Sequence, residues 1–90
     1  MTIYIINPNS SQHVTQGIDR AIDPMRAASP VPIIARTLAE GPPGIETQAH
    51  VDGVVGPMLA HCAALEDRAS TFVVACFSDP GLAALREQSS

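Results

Sequence analysis

Three groups of residues in this 90-residue chain are of types that do chemistry. Cys76 stands at the end of the apolar run Phe72-Val73-Val74-Ala75 and opens the polar turn Phe77-Ser78-Asp79-Pro80-Gly81. A thiol at the mouth of a turn that leads into a helix lies near backbone N–H groups, and it is a candidate nucleophile or proton-transfer group. The carboxylate of Asp79 would oppose the thiolate if it came close. The second group, Asn7-Pro8-Asn9-Ser10-Ser11, follows the apolar run Ile3-Tyr4-Ile5-Ile6 and is rich in amides and hydroxyls suited to a carboxylate or an imide. The third, Glu40-Gly41-Pro42-Pro43-Gly44-Ile45-Glu46, is a stiff loop of the kind that often carries function in a compact domain.

Composition narrows the classes. There are five arginines, nine acidic residues and no lysine, for a net charge of −4. A chain so charged has no basic footprint for nucleic acid or an anionic membrane, and without lysine it has neither a Schiff-base amine nor a Walker-type phosphate loop. No apolar run approaches the length of a membrane span, and the first residues lack a basic signal-peptide region. Two cysteines do not make a disulfide framework, so free thiols and a cytoplasmic location are expected. His13, His50 and His61 are scattered singly, without zinc-ligand spacing, and no metal is expected. Cys62 falls within a helical apolar stripe and reads as core. His13 and His61 fall on polar helix flanks and read as solvated, and Glu46 reads as a first-turn helix acid.

The elements that must position these groups alternate. Strand one covers the Ile3–Ile6 run. A helix follows, capped by Asn9 or one of the serines, with its apolar face at Val14, Ile18, Ala21, Ile22 and Met25 and its end set near Asp23 by Pro24. Strand two spans Val31–Thr37, and Pro32 within it argues for a sheet edge. Residues 48–68 keep helical spacing, but Gly53, Gly56 and Pro57 interrupt it, which predicts a kink or two helices with Pro57 starting the second. Strand three is the Phe72–Ala75 run, apolar enough to be covered on both faces. Asp79 is placed as the N-cap, and Pro80 at the first position, of a last helix over Leu82–Glu87.

The βαβαβα order implies a three-layer, doubly wound parallel α/β sheet with strand order 2-1-3, residues 1–90 forming one domain. In such sheets ligands bind beyond the carboxyl ends of the strands, where the connections reverse. Asn7–Ser11 and Cys76–Asp79 then form the two lips of one crevice.

Taken together, Ile5–Ser11, Glu40–Thr47 and Val74–Gly81 resemble the Asp/Glu/hydantoin racemase superfamily, and the hydantoin racemase branch most of all, over essentially the whole chain. The resemblance implies a cofactor-independent racemase or epimerase acting at a carbon next to a carbonyl. It also implies two similar α/β halves that hold a small molecule (a hydantoin, amino acid or carboxylate) between two cysteines. By position Cys76 matches the cysteine of the first half, Asn7 a substrate-binding residue, and Phe77, Ser78 and Asp79 the turn that donates to substrate oxygens. Ser10, Ser11 and Glu46 are further candidate contacts. Family members are more than twice as long, and their second cysteine lies in the other half. The resemblance therefore implies an incomplete, N-terminal half of a two-domain fold, inactive by itself, with apolar surface left at strand three or on the helix packed beside it that favours homo-oligomers. A decarboxylase or cis-trans isomerase of small dicarboxylic acids, and a non-catalytic carboxylate-binding or assembly module, are the competing readings.

Overall fold

A computed structural model describes residues 1–76 and 79–89. The strands are β1 (Thr2–Asn7), β2 (Ile33–Thr37) and β3 (Ala69–Val74), and the helices are α1 (Gln12–Arg26), α2 (Gln48–Gly53), α3 (Val55–Leu65) and α4 (Leu82–Gln88). The strands form one parallel sheet in the order β2-β1-β3. The continuous apolar run Ile3-Tyr4-Ile5-Ile6 in β1 suits this central place, because a middle strand must cover both faces.

Register assigns each side chain to a face. Tyr4 pairs with Ile34 and Phe72, and Ile6 with Arg36 and Val74, so these six share one side of the sheet. On that side Tyr4 and Ile6 join Leu38, Val54, Met58, Cys62, Leu65 and Leu85 in the core, under α3 and α4. The Tyr4 and Phe72 rings stack with centroids 6.0 Å apart. The opposite side carries Ile3, Ile5, Asn7, Ala35 and Thr37, and α1 packs there against β2. No residue of α1 is fully buried, and Val14 and Met25 on its apolar stripe stay exposed.

The structure corrects several expectations. β3 is not covered on both faces: Thr71 and Val73 are exposed, since α1 lies over β2 and leaves the outer strand bare on that side. Apolar surface is thus open at strand three, as anticipated. β2 starts at Ile33, two residues late, and Pro32 precedes it, offering only its carbonyl to Ile3 N at 2.9 Å. The edge placement of β2 holds. Pro24 lies inside α1, which continues to Arg26. A proline in the last turn forfeits one helical bond, and Arg26 secures that turn by pairing with Asp19 and Asp23 while its guanidinium donates to Ile33 O. Two helices do replace the long pattern over 48–68, but the second starts at Val55 and holds Pro57 in its first turn.

Burial predicts opposite outcomes for two β-sheet residues. Ile6 is fully buried, so Ile6→Ala is expected to cost about 2–5 kcal/mol in urea unfolding. Val73→Ser on the bare face is expected to stay within about 0.5 kcal/mol of the parent.

Candidate active site

The parallel register brings the three carboxyl strand ends into one row. Asn7, the last residue of β1, pairs with Thr37, the last of β2. On the other flank Ala75 N donates to Ile6 O at 2.9 Å, so Cys76 leaves β3 one step beyond the end of β1. Thr37, Asn7 and Cys76 therefore follow one another along the sheet edge where the two crossovers diverge, which is where open α/β sheets bind ligands.

Asn7 is buried, at 1% exposure, and a buried carboxamide must find partners. Its Nδ2 lies 2.9 Å from Asn9 Oδ1, 3.1 Å from Ser11 O and 3.0 Å from Thr15 Oγ1, while its Oδ1 accepts from Asn9 N at 3.3 Å. Ser11 is the N-cap of α1, its hydroxyl accepting from Val14 N at 3.3 Å. Ser10 N donates to Pro42 O at 2.9 Å. The polar turn is thus rigid, with Asn7 facing inward and the half-buried Asn9 and Ser10 above it.

The loop after β2 braces this turn. Gly41 lies so close that a Cβ there would meet Pro8 O at 2.3 Å and Asn9 Cα at 3.2 Å. Only a residue without a side chain admits this approach of two backbones. At the far end of the loop Thr47 caps α2 by accepting from His50 N, and His50 Nδ1 accepts from Glu46 N at 3.0 Å. Glu46 precedes the cap, so it is not the first-turn acid of α2.

On the other lip Cys76 is half-buried and not disulfide-bonded. Phe77 and Ser78, expected to donate to substrate oxygens, lie outside the described residues. Asp79 is exposed but does not cap α4: it takes φ 46° in a turn in which its N–H donates to Cys76 O at 3.1 Å. Pro80 is buried in that turn, and Gly81, with φ 72°, takes the N-cap position without a side-chain bond. The left-handed backbone at 79 and 81 delays the helix to Leu82, so the thiol is separated from it by a full turn. Cys62 differs in every respect. It is fully buried in the core, and burial, with the nearby Glu66 charge, pushes its thiol up to about 11.

Sequence reasoning missed Thr15 and Thr37, whose hydroxyls meet at 2.6 Å beneath Asn7. It also misplaced His61. Instead of being solvated, His61 is half-buried on α3 and its Nε2 accepts from Arg36 Nε at 3.4 Å, beside a groove of about 360 Å³ that Glu40, Pro57 and Ala60 complete. Desolvation first, and then the Arg36 charge, hold its pKa below the ordinary 6.5. No cluster of three metal-ligating side chains occurs among the described residues, and no helix there is long and apolar enough to cross a membrane.

A family model described as Asp/Glu/Hydantoin racemase matches residues 3–90. The chain belongs to that family. It is 35% identical over 91 residues to a hydantoin racemase of Pseudomonas sp. (strain NS671), a match covering 97% of this chain and 35% of the relative. Among solved structures it resembles the allantoin racemase from Klebsiella pneumoniae, with a TM-score of 0.84 and 33% identity over 97% of this chain and 36% of that one. The chain thus spans about a third of the length of these racemases.

The two cysteines should separate chemically. Iodoacetamide is expected to modify Cys76 alone in the native protein and both thiols in urea, read by intact mass; native labelling of Cys62 at a similar rate would contradict its burial and raised pKa. His61 sets a pH dependence whose sign follows from its lowered pKa. The stability is full above about 6.5; below that value the unfolded chain takes up a proton at this site that the folded chain resists, so stability falls as pH drops from there toward the lower folded value. Urea midpoints from pH 7.5 to 5 are expected to fall more steeply for the parent than for His61→Gln.

Proposed function

We propose that this chain contributes one half of a cofactor-independent racemase site, in which Cys76 exchanges a proton with a carbon next to a carbonyl in a small hydantoin- or amino-acid-like substrate. The observation that carries the reading is the position of Cys76. It leaves β3 directly beside the Asn7–Ser11 turn of β1, at the diverging edge of the sheet. Membership of the racemase family supports the reaction class and a small-molecule substrate.

In the proposed step the Cys76 thiolate takes the proton from the carbon, forming S–H, and the C–H electron pair moves into the carbonyl to give an enolate. Donors along the Asn7–Ser11 turn, with Phe77, Ser78 and Asp79, hold the substrate's oxygens. Return of a proton to the other face inverts the centre. That second proton needs an acid on the opposite side of the carbon, and Cys62, sealed in the core with a raised pKa, does not supply it. The carbonyl is the electron sink, so the step needs no cofactor.

The test uses a racemase-length protein in which this chain is joined to the remaining part of the Pseudomonas relative, assayed for optical rotation loss and solvent deuterium uptake with a 5-substituted hydantoin. Cys76→Ala is expected to slow racemisation by about 10²–10⁴-fold. An unchanged rate would remove Cys76 from the mechanism. The 90-residue chain alone is expected to racemise nothing. If the joined protein bound hydantoin and gained thermal stability without deuterium uptake, the module would be a binding one.

A further inference from the structure

We propose that Asn9 is the donor that orients the substrate's carbonyl or carboxylate oxygen, its carboxamide aimed outward by a buried relay of bonds that starts at Thr37. The inference rests on the reading of the crevice as a substrate site and names the group that meets the substrate there.

Hydrogen accounting carries it. Thr15 Oγ1 lies 3.0 Å from Asn7 Nδ2, 2.6 Å from Thr37 Oγ1 and 3.4 Å from Ser11 O. A hydroxyl has one hydrogen and two lone pairs. Thr15 accepts from Asn7, and its single hydrogen goes to Thr37 Oγ1 or to Ser11 O. The backbone fixes the ends of the Asn7 carboxamide: Asn9 N, a donor only, meets Oδ1 at 3.3 Å, and Ser11 O, an acceptor only, meets Nδ2 at 3.1 Å.

With Nδ2 so placed, Asn7 donates to Asn9 Oδ1 at 2.9 Å, and Ser11 N donates to the same oxygen at 2.9 Å. Two donors on one amide oxygen hold the Asn9 carboxamide with that oxygen inward. Its NH₂ group has no acceptor among the described residues, although Asn9 is only half-buried. The Asn9 backbone is held as well, by its own N–H on Asn7 Oδ1 at 3.3 Å and by the close passage of Gly41. The result is a held pair of N–H donors on the turn that leaves the strand next to that of Cys76, at no ordering cost when a ligand oxygen arrives. Asn7, with 1% exposure and its amide hydrogens engaged internally, is a positioning residue. Thr15 and Thr37 position it in turn.

Asn9→Asp separates the two ends of the side chain. One carboxylate oxygen still accepts from Asn7 and Ser11 N, next to the N-terminus of α1, so the turn keeps its bonds. The outward group changes from donor to acceptor. The experiment records ¹H–¹⁵N spectra of the labelled 90-residue chain, with 5-methylhydantoin as the probe. The Asn9 NH₂ pair is expected to be as rigid as the backbone by heteronuclear NOE and to shift with the probe. Asn9→Asp is expected to bind the probe about tenfold or more weakly while its melting temperature stays within about 5 °C. Thr15→Val should leave the Asn9 amide mobile, and Thr15→Ser should restore it.

A mobile Asn9 amide in the parent overturns the proposal whatever binds. So does a probe that shifts Ser10 and Cys76 equally in the parent and Asn9→Asp, a result that leaves the substrate crevice standing. No probe-induced shift in any crevice residue overturns the assignment of Asn9 to this ligand. Failure of the wider reading shows separately, as racemisation that survives Cys76→Ala.

Discussion

Parallel pairing of β1 with a neighbour on each side is the constraint on which the rest of the molecule depends. Parallel strands cannot be joined by tight turns, so each connection must cross the sheet and bring a helix with it. The first crossover moves to one side of β1 and the second returns to the other. That reversal puts α1 on one face and α2 with α3 on the other. It also aligns all three carboxyl ends at a single edge. Asn7, Thr37 and Cys76 are neighbours for this reason and no other, since 30 and 39 residues of chain separate them in turn. A slip of one residue in either pairing would turn Asn7 toward the wrong face and dismantle the site together with the core.

The polar and apolar halves of the fold meet at the end of β1. Ile6 is sealed under α3 and contributes on the order of 2–3 kcal/mol by burial; the next residue, Asn7, is equally sealed but polar. Burying an amide is tolerable only because Asn9, Ser11 and Thr15 satisfy it. The cost of an unmade bond there is large, and so the turn has one conformation. Stability and site geometry are therefore the same bonds. The two cysteines show the converse separation: Cys62 serves the core as a small apolar group, and Cys76 serves the edge.

Much of this was legible in the sequence. The alternation of apolar runs, Pro32 as an edge marker, the break between α2 and α3 and the resulting 2-1-3 order all rest on local patterns with strong physical causes. So did the meeting of the Asn7–Ser11 turn with Cys76, which follows from the order alone. What failed was decided by tertiary contact. Pro24 looked like a helix end because the tie from Arg26 to Ile33 across the chain was invisible. Thr15 and Thr37 are 22 residues apart and belong to no motif, so no spacing could join their hydroxyls. Asp79 has the chemistry of a cap, but the backbone turns left-handed there and hands the position to Gly81. His61 is on a helix flank that faces solvent by periodicity, and Arg36 of the edge strand covers it.

A reaction that inverts a tetrahedral centre needs proton donors and acceptors on two opposed faces. One sheet edge approaches a substrate from one side. In this chain the strand that presents Cys76 is also the strand left open, with Val73 exposed and its outer edge without a pairing strand among the described residues. The chain spans about a third of the length of the racemases it matches. Asn7, Thr15 and Thr37 spend their hydrogen bonds inward, at the same sheet edge where Cys76 leaves the neighbouring strand.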